Sequence, residues 1–345
     1  MTTNNTNNII TKINSIAKKI NKPVKIMEVC GTHTNAIAKY GIKQVIPKNI
    51  KLISGPGCPV CVTPQKTIDI TVHLANNQIP IATYGDMLRV PGSEMSLEQA
   101  KQNGATVLLV ESTIDAIKLK KDHPNLVFLS IGFETTTPMS AWGIKNGLDI
   151  ICAHKTMPEA LQTITENPEN QIDGFLNPGH VSSIIGVKAY NQINASQVIA
   201  GFESEDILES ILMLLIQIKN KEKKVENQYS RIVSYDGNLK AQELVNSVFK
   251  KSDSEWRGIG NIKNSGITLK NKYEKHDAIK KYKDILKNLP ETKENKACKC
   301  AEVIMGKIEP KECPLFSKTC TQDTPIGPCM VGSEGACRIS YKYNN

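Results

Sequence analysis

Between about residues 24 and 235, short apolar runs alternate with helix-like stretches, and this rhythm restricts the possible folds more than any other property of the chain. The runs VKIMEV (24–29), KLIS (51–54), PIATY (80–84), TVLLV (106–110), LVFLSIGF (126–133), IDGFL (172–176) and QVIAGF (197–202) read as strands. Several lead through Gly, Cys, Asn or Pro into helix-like segments such as 67–75, 96–103, 113–121 and 205–218. Repeated βαβ units build parallel sheets covered by helices on both faces, so the expected fold class is α/β. A chain of 345 residues exceeds one typical core. The expected division is a first α/β domain over 1–125, a second over 126–245, and a cysteine-bearing region over 246–345, where the composition turns polar and Lys-rich. The charged stretch KNKEKKVENQ (219–228) reads as a solvated helix end or loop.

The net charge of +9 raises the question of nucleic acid. Only four of the 43 basic residues are Arg, however, and aromatic residues make up 5% of the chain. Guanidinium forks and stacking platforms are therefore scarce, and no nucleic-acid partner is expected. The opening MTTNNTNNII lacks a basic, apolar leader pattern, and the most apolar segment, 207–218, is too short and too polar to cross a bilayer. A soluble, cytoplasmic protein is expected. The phosphate-binding patterns G-x-G-x-x-G and G-x-x-x-x-G-K-[ST] are absent from the strand–loop junctions, which removes the usual support for dinucleotide or ATP binding.

Ten cysteines in a cytosolic chain do not form a disulfide framework, and here they are unevenly spread. Cys30 ends a strand run, where a helix N-terminus would lower its pKa; His33 would assist it or serve as a second metal ligand, against a plain reading of a buried strand-end thiol. In SGPGCPVC (54–61), Cys58 and Cys61 have the spacing of a reversible disulfide or of half a metal site, and the lack of a second C-x-x-C favours the redox pair. Six more cysteines crowd 298–337. Cys298, Cys313, Cys320 and Cys337 give C-x14-C-x6-C-x16-C, whose single, widely spaced thiols favour a [4Fe–4S] cluster over zinc, although Cys300 and Cys329 leave the ligand set open. Cys152, between Ile151 and Ala153, reads as a core residue.

Three further loops follow strand runs: GFETTTP (132–138), NPGH (177–180) and GFE (201–203). In parallel sheets such loops gather beyond the carboxyl ends of the strands, so all five are expected on one rim. Glu134 offers a carboxylate or simply sits in a threonine-braced loop, His180 is a proton carrier or a packing residue, and Glu203 is equally open.

MEVCGTHT, SGPGCPVC, IGFETTTP, LNPGHVSSIIG, GFE, ECPLF and GPCMVGSEGAC together, and in this order, resemble the hydrogenase formation protein family HypD over nearly the whole chain. The resemblance implies two α/β domains with a C-terminal [4Fe–4S] region, and a scaffold role in building the Fe(CN)2CO moiety of [NiFe] hydrogenases. It implies that Cys30 holds the iron jointly with a cysteine of a small HypC-like chaperone, with His33 nearby, and that a HypE-like partner donates cyanide from a thiocyanate-bearing tail. It further implies that Cys58 and Cys61 pass electrons, and that Cys298, Cys313, Cys320 and Cys337 bind the cluster. The protein is expected to be a monomer that enters transient heteromeric complexes. The alternatives are a cluster-linked thiol-disulfide reductase acting on a protein partner, and a zinc-stabilised binding module.

Overall fold

All seven apolar runs contribute a strand in the computed structural model, which describes residues 2–20 and 22–343. The parallel strands are β1 (Val24–Glu28), β2 (Ile50–Ser54), β3 (Ile81–Thr83), β4 (Val107–Leu109), β5 (Val127–Gly132), β6 (Asp149–His154), β7 (Gly174–Pro178), β8 (Ser196–Ala200) and β9 (Val225–Asn227). They form two sheets, ordered β2-β1-β7-β8-β9 and β4-β3-β5-β6, and every pairing within them is parallel. Every residue of β5, β7 and β8 is buried, because helices cover both faces. Burial on both faces is also why these strands read as unbroken apolar runs instead of alternating patterns.

The division at residue 125 does not follow the sheets. The first sheet takes its strands from 24–54 and again from 174–227, and the second is inserted between them, with residue 125 falling between its strands β4 and β5. Apolar runs announce strands but not their partners: Ile26 of β1 pairs with Gly174 of β7, a neighbour that no local pattern reveals. Two of these parallel strands lay outside the expected set. β6, DIICAH, carries Cys152, whose Sγ–H donates to Ile267 O at 3.4 Å. β9 lies inside the charged 219–228 stretch, which is therefore not only a helix end or loop; it is an edge strand paired to β8, where polar side chains are tolerated.

The N-terminal helix Thr2–Lys19 buries Ile9, Ile13 and Ala17, spaced four apart on one stripe, and packs on helix Ser204–Asn220 beside the first sheet. No helix among the described residues is long and apolar enough to cross a membrane.

A hairpin of β10 (Phe249–Trp256) and β11 (Gly260–Leu269) opens the C-terminal region and leans on the end of β6. Thr156 N–H donates to Ser265 O at 2.8 Å, and the buried Lys155 reaches Ser254 Oγ. Burial drives the Lys155 pKa down to about 8. Between pH 8 and the ordinary lysine value the unfolded chain holds a proton that the folded chain has lost, so this residue makes folding more favourable as pH rises through that window. Relative to Lys155→Met, the wild-type unfolding free energy should gain on the order of 3 kcal/mol between about pH 8 and 10.5, as read from urea titrations at each pH. A flat difference would mean that Lys155 is not desolvated.

Candidate functional site

The carboxyl ends of the two sheets face each other across a cleft of about 770 Å³. From the first sheet come Cys30 and Thr32 after β1, Gly57, Pro59 and Val60 after β2, and Pro178 and His180 at the end of β7. From the second come Tyr84, Gly85 and Asp86 after β3, Glu111 after β4, and Gly132, Phe133, Thr135 and Thr136 at the end of β5. Four of the five expected loops thus line one cleft, while the fifth, Gly201-Phe202-Glu203, lies behind it. Phe202 stacks on His33 at 4.8 Å and on His180 at 4.0 Å between ring centroids, and Glu203 forms a capping box with Asp206 at the start of helix Ser204–Asn220.

Cys30 is the N-cap of helix Gly31–Lys39 and is buried except where it meets the cleft. The expected lowering of its pKa by the helix end does not prevail. Burial, helped by the Glu334 carboxylate, pushes the thiol up to about 12, against the N–H groups of His33 and Thr32 that favour thiolate. A proton is therefore held on this sulfur near neutral pH. Beneath it, the buried Glu28 accepts from Thr34 Oγ1 at 2.5 Å and from Cys30 N–H at 3.3 Å, and burial raises its carboxyl to about 8.

His33 is fully buried and absent from the cleft wall. Its Nε2–H donates to Gly201 O at 3.0 Å and contacts Ala200 O at 3.3 Å, while Nδ1 is buried with no partner among the described residues. Burial lowers its pKa to about 4, so it is a neutral ring that ties the Cys30 helix to the end of β8. Glu134 likewise turns from the cleft: Oε1 accepts from Met157 N–H at 3.0 Å at the start of helix Met157–Glu166, Oε2 has no partner among the described residues, and burial raises the carboxyl to about 8. The threonine-braced reading describes its loop, since Thr137 Oγ1–H donates to Glu134 O and Thr136 Oγ1–H to Phe133 O. His180 is exposed on the cleft wall.

Cys58 and Cys61 are joined as a disulfide, with Cα atoms 5.3 Å apart, and both are buried one layer below the cleft. Cys58 caps the single-turn helix Pro59–Val62 by accepting from Cys61 N–H. Gly57 and Cys30 touch through their backbones: Gly31 N–H donates to Gly57 O at 3.2 Å. On the far side of the pair, a Cβ on Gly332 would lie 3.3 Å from Cys58 Sγ.

Gly332 follows helix Pro328–Val331, which carries Cys329 into a small cavity. Cys298, Cys300, Cys313, Cys320, Cys329 and Cys337 all line that cavity, together with Leu315, Phe316 and Met330. The sequence leaves the ligand set open, and the structure brings all six candidates together. Six soft donors in an apolar shell, with no carboxylate or imidazole, suit an iron–sulfur cluster or zinc and not a hard cation. Gly327 is part of the cradle, because a Cβ there would lie 2.4 Å from Cys298 Sγ. As placed, no three His, Cys, Asp or Glu among the described residues form a metal-ion site, and all six cysteines of the cavity are free thiols. The neighbouring thiols of Cys298 and Cys329 hold Cys300 well below the ordinary thiol range, with Arg257 adding a smaller pull.

Sequence reasoning gave no role to Glu334, Asp86 or Tyr84, all on the cleft wall. Glu334 accepts from Thr32 Oγ1–H at 2.9 Å and packs so closely on Gly31 that a Cβ there would lie 2.1 Å from Glu334 Cβ. Asp86 accepts from Ser333 N–H at 2.9 Å, so the two cleft carboxylates fix the GSEG turn over Cys30. GSEGAC already stood among the shared motifs, but the 304-residue gap from Cys30 to Glu334 concealed their contact.

Comparison with known proteins gives the chain a family. The profile of HypD, described as the hydrogenase formation hypA family, matches residues 4–344. Hydrogenase maturation factor HypD2 of Bradyrhizobium diazoefficiens is 44% identical over 93% of this chain and 90% of its own length. A putative hydrogenase expression/formation protein of Methanocaldococcus jannaschii is 44% identical over 97% and 96%, and HypD of Escherichia coli is 43% identical over 93% and 90%. With a family profile matched over residues 4–344 and relatives more than 40% identical over nine-tenths of its length, the chain belongs to the HypD family of hydrogenase maturation factors.

Proposed function

We propose that this protein is the scaffold on which the Fe(CN)2CO moiety of [NiFe] hydrogenases is assembled, in the cytoplasm. The observation that carries the reading is the order of layers: a cleft with Cys30 on its wall, the Cys58–Cys61 disulfide directly beneath, and the six-thiol cavity behind that. The iron is cargo. Cys30 binds it as thiolate, giving up its proton to do so, and a cysteine of a HypC-like chaperone shares it across the cleft mouth. A HypE-like partner brings cyanide on a thiocyanate. Releasing cyanide from R–S–C≡N takes two electrons and leaves R–S⁻ and CN⁻, and a dithiol at Cys58 and Cys61 supplies two as it closes to the disulfide. A [4Fe–4S] cluster held by Cys298, Cys313, Cys320 and Cys337 would supply electrons one at a time to reopen that disulfide. His180 stands on the cleft wall as a proton carrier, while His33 and Glu134 hold the walls in place.

The test is an infrared spectrum of anaerobic protein co-expressed with its HypC-like partner, beside the same preparation of Cys30→Ala. Cyanide and carbonyl stretches should be present in the first and absent in the second. A brown protein with neither set of bands would point to a thiol-disulfide reductase.

A further inference from the structure

The hairpin tip Trp256-Arg257-Gly258 touches all three layers of the site. Trp256 is fully buried, donates Nε1–H to Ser265 Oγ at 2.8 Å, and stacks on Phe133 of the cleft wall with centroids 6.0 Å apart. Gly258, at φ +80°, sits so tightly on helix Cys300–Ile304 that a Cβ would lie 2.7 Å from Ala301 Cα. Between them, Arg257 binds the chain just behind the disulfide. Its backbone N–H donates to Val62 O at 2.9 Å, Nε–H to Thr63 O at 3.1 Å and Nη2–H to Gln65 Oε1 at 2.9 Å. Val62 is the last residue of the helix that carries Cys61.

We propose that Arg257 is a positioning residue, clamping the disulfide-bearing helix against the six-thiol cavity so that electrons pass between them; this rests on the relay described under the proposed function. The helix Pro59–Val62 is a single turn, too short to hold itself, so its place must be fixed from outside. A planar guanidinium with two donors in fixed relation meets Thr63 O and Gln65 Oε1 at once, which a lysine ammonium on a flexible stem does not. In the step that Arg257 serves, the Cys58–Cys61 bond takes up two electrons and two protons and becomes two thiols. The electrons come from two molecules of a low-potential one-electron donor and reach the pair from the side of the cysteine cavity, and the protons come from solvent.

The experiment uses anaerobic, cluster-loaded protein and its Arg257→Lys and Gln65→Leu variants. Reduced viologen is the electron donor, and the thiols of Cys58 and Cys61 are counted over time by alkylation and mass measurement. A parallel reaction uses dithiothreitol, which attacks the disulfide directly. Arg257→Lys should slow reduction by viologen on the order of tenfold or more, while its rate with dithiothreitol stays within about twofold of wild type. Gln65→Leu, which removes one partner and leaves the charge, should shift the viologen rate the same way by a smaller factor, and it keeps the test valid if Arg257→Lys folds poorly. Wild-type viologen rates in both variants, or equal slowing with both reductants, would overturn the proposal. A wild-type disulfide that dithiothreitol opens and viologen does not would instead remove the relay itself, and this inference with it.

Discussion

Cys58→Ala should reduce hydrogenase maturation to background while leaving the protein folded, and Cys61→Ala should do the same. The expectation separates chemistry from stability by magnitude. The disulfide closes a ring with a sequence separation of only 3, so its contribution to the folded state is about 2 kcal/mol in the chain-entropy view. That is a minor part of the roughly 5–15 kcal/mol that holds a typical protein folded. A complete loss of function in either variant therefore cannot be charged to unfolding. It follows because one cysteine alone can neither store two electrons nor release them without a partner to close upon. The measurement is hydrogenase activity in a strain that depends on the variant, with circular dichroism of the purified protein alongside. Full maturation with Cys58→Ala would sink the relay role of the pair.

The α/β class was legible because both faces of the strands are buried, which leaves unbroken apolar runs such as LVFLSIGF that need no knowledge of partners. The gathering of CGTHT, CPVC, GFETTTP and NPGH followed from the rule that parallel sheets place functional loops at their carboxyl ends. What the sequence withheld was everything set by long-range contact. The insertion of the second sheet into the first depends on the pairing of β1 with β7, and the local pattern of neither strand encodes the other. The hairpin β10–β11 alternates exposed Lys, Asp and Glu with few buried residues, so its polar outer face masked it. The reversal at Cys30 has the same origin. A helix N-terminus argues for thiolate, but the covering segment from Ser333 to Glu334 buries the sulfur and adds a carboxylate, and it arrives from the other end of the chain. His33 and Glu134 belong to motifs that suggest chemistry, yet Nε2 of the one and Oε1 of the other are bonded to the backbone, and only the folded positions of Gly201 and Met157 reveal that.

Gly57→Ala should leave a folded protein that no longer loads iron. A Cβ at this position would lie 2.3 Å from Cys30 N, 2.4 Å from Val29 C and 2.6 Å from Cys30 Cα. All three are backbone atoms, so no side chain can rotate to make room, and the two loops must move apart. The Gly31 N–H to Gly57 O bond that joins them would be strained or lost. Overpacking of this kind costs about 1–3 kcal/mol, enough to register in urea denaturation and too little to unfold the chain. The functional loss should be far larger than the stability loss, because this contact sets the distance between the Cys30 sulfur, proposed to hold iron, and the disulfide beneath it. Cyanide and carbonyl stretches in the co-expressed complex should fall to the level of Cys30→Ala, while the thiol pair still opens with dithiothreitol. Normal infrared bands in a destabilised Gly57→Ala protein would show that the spacing between Cys30 and Cys58 is not what the SGPG turn was built to hold.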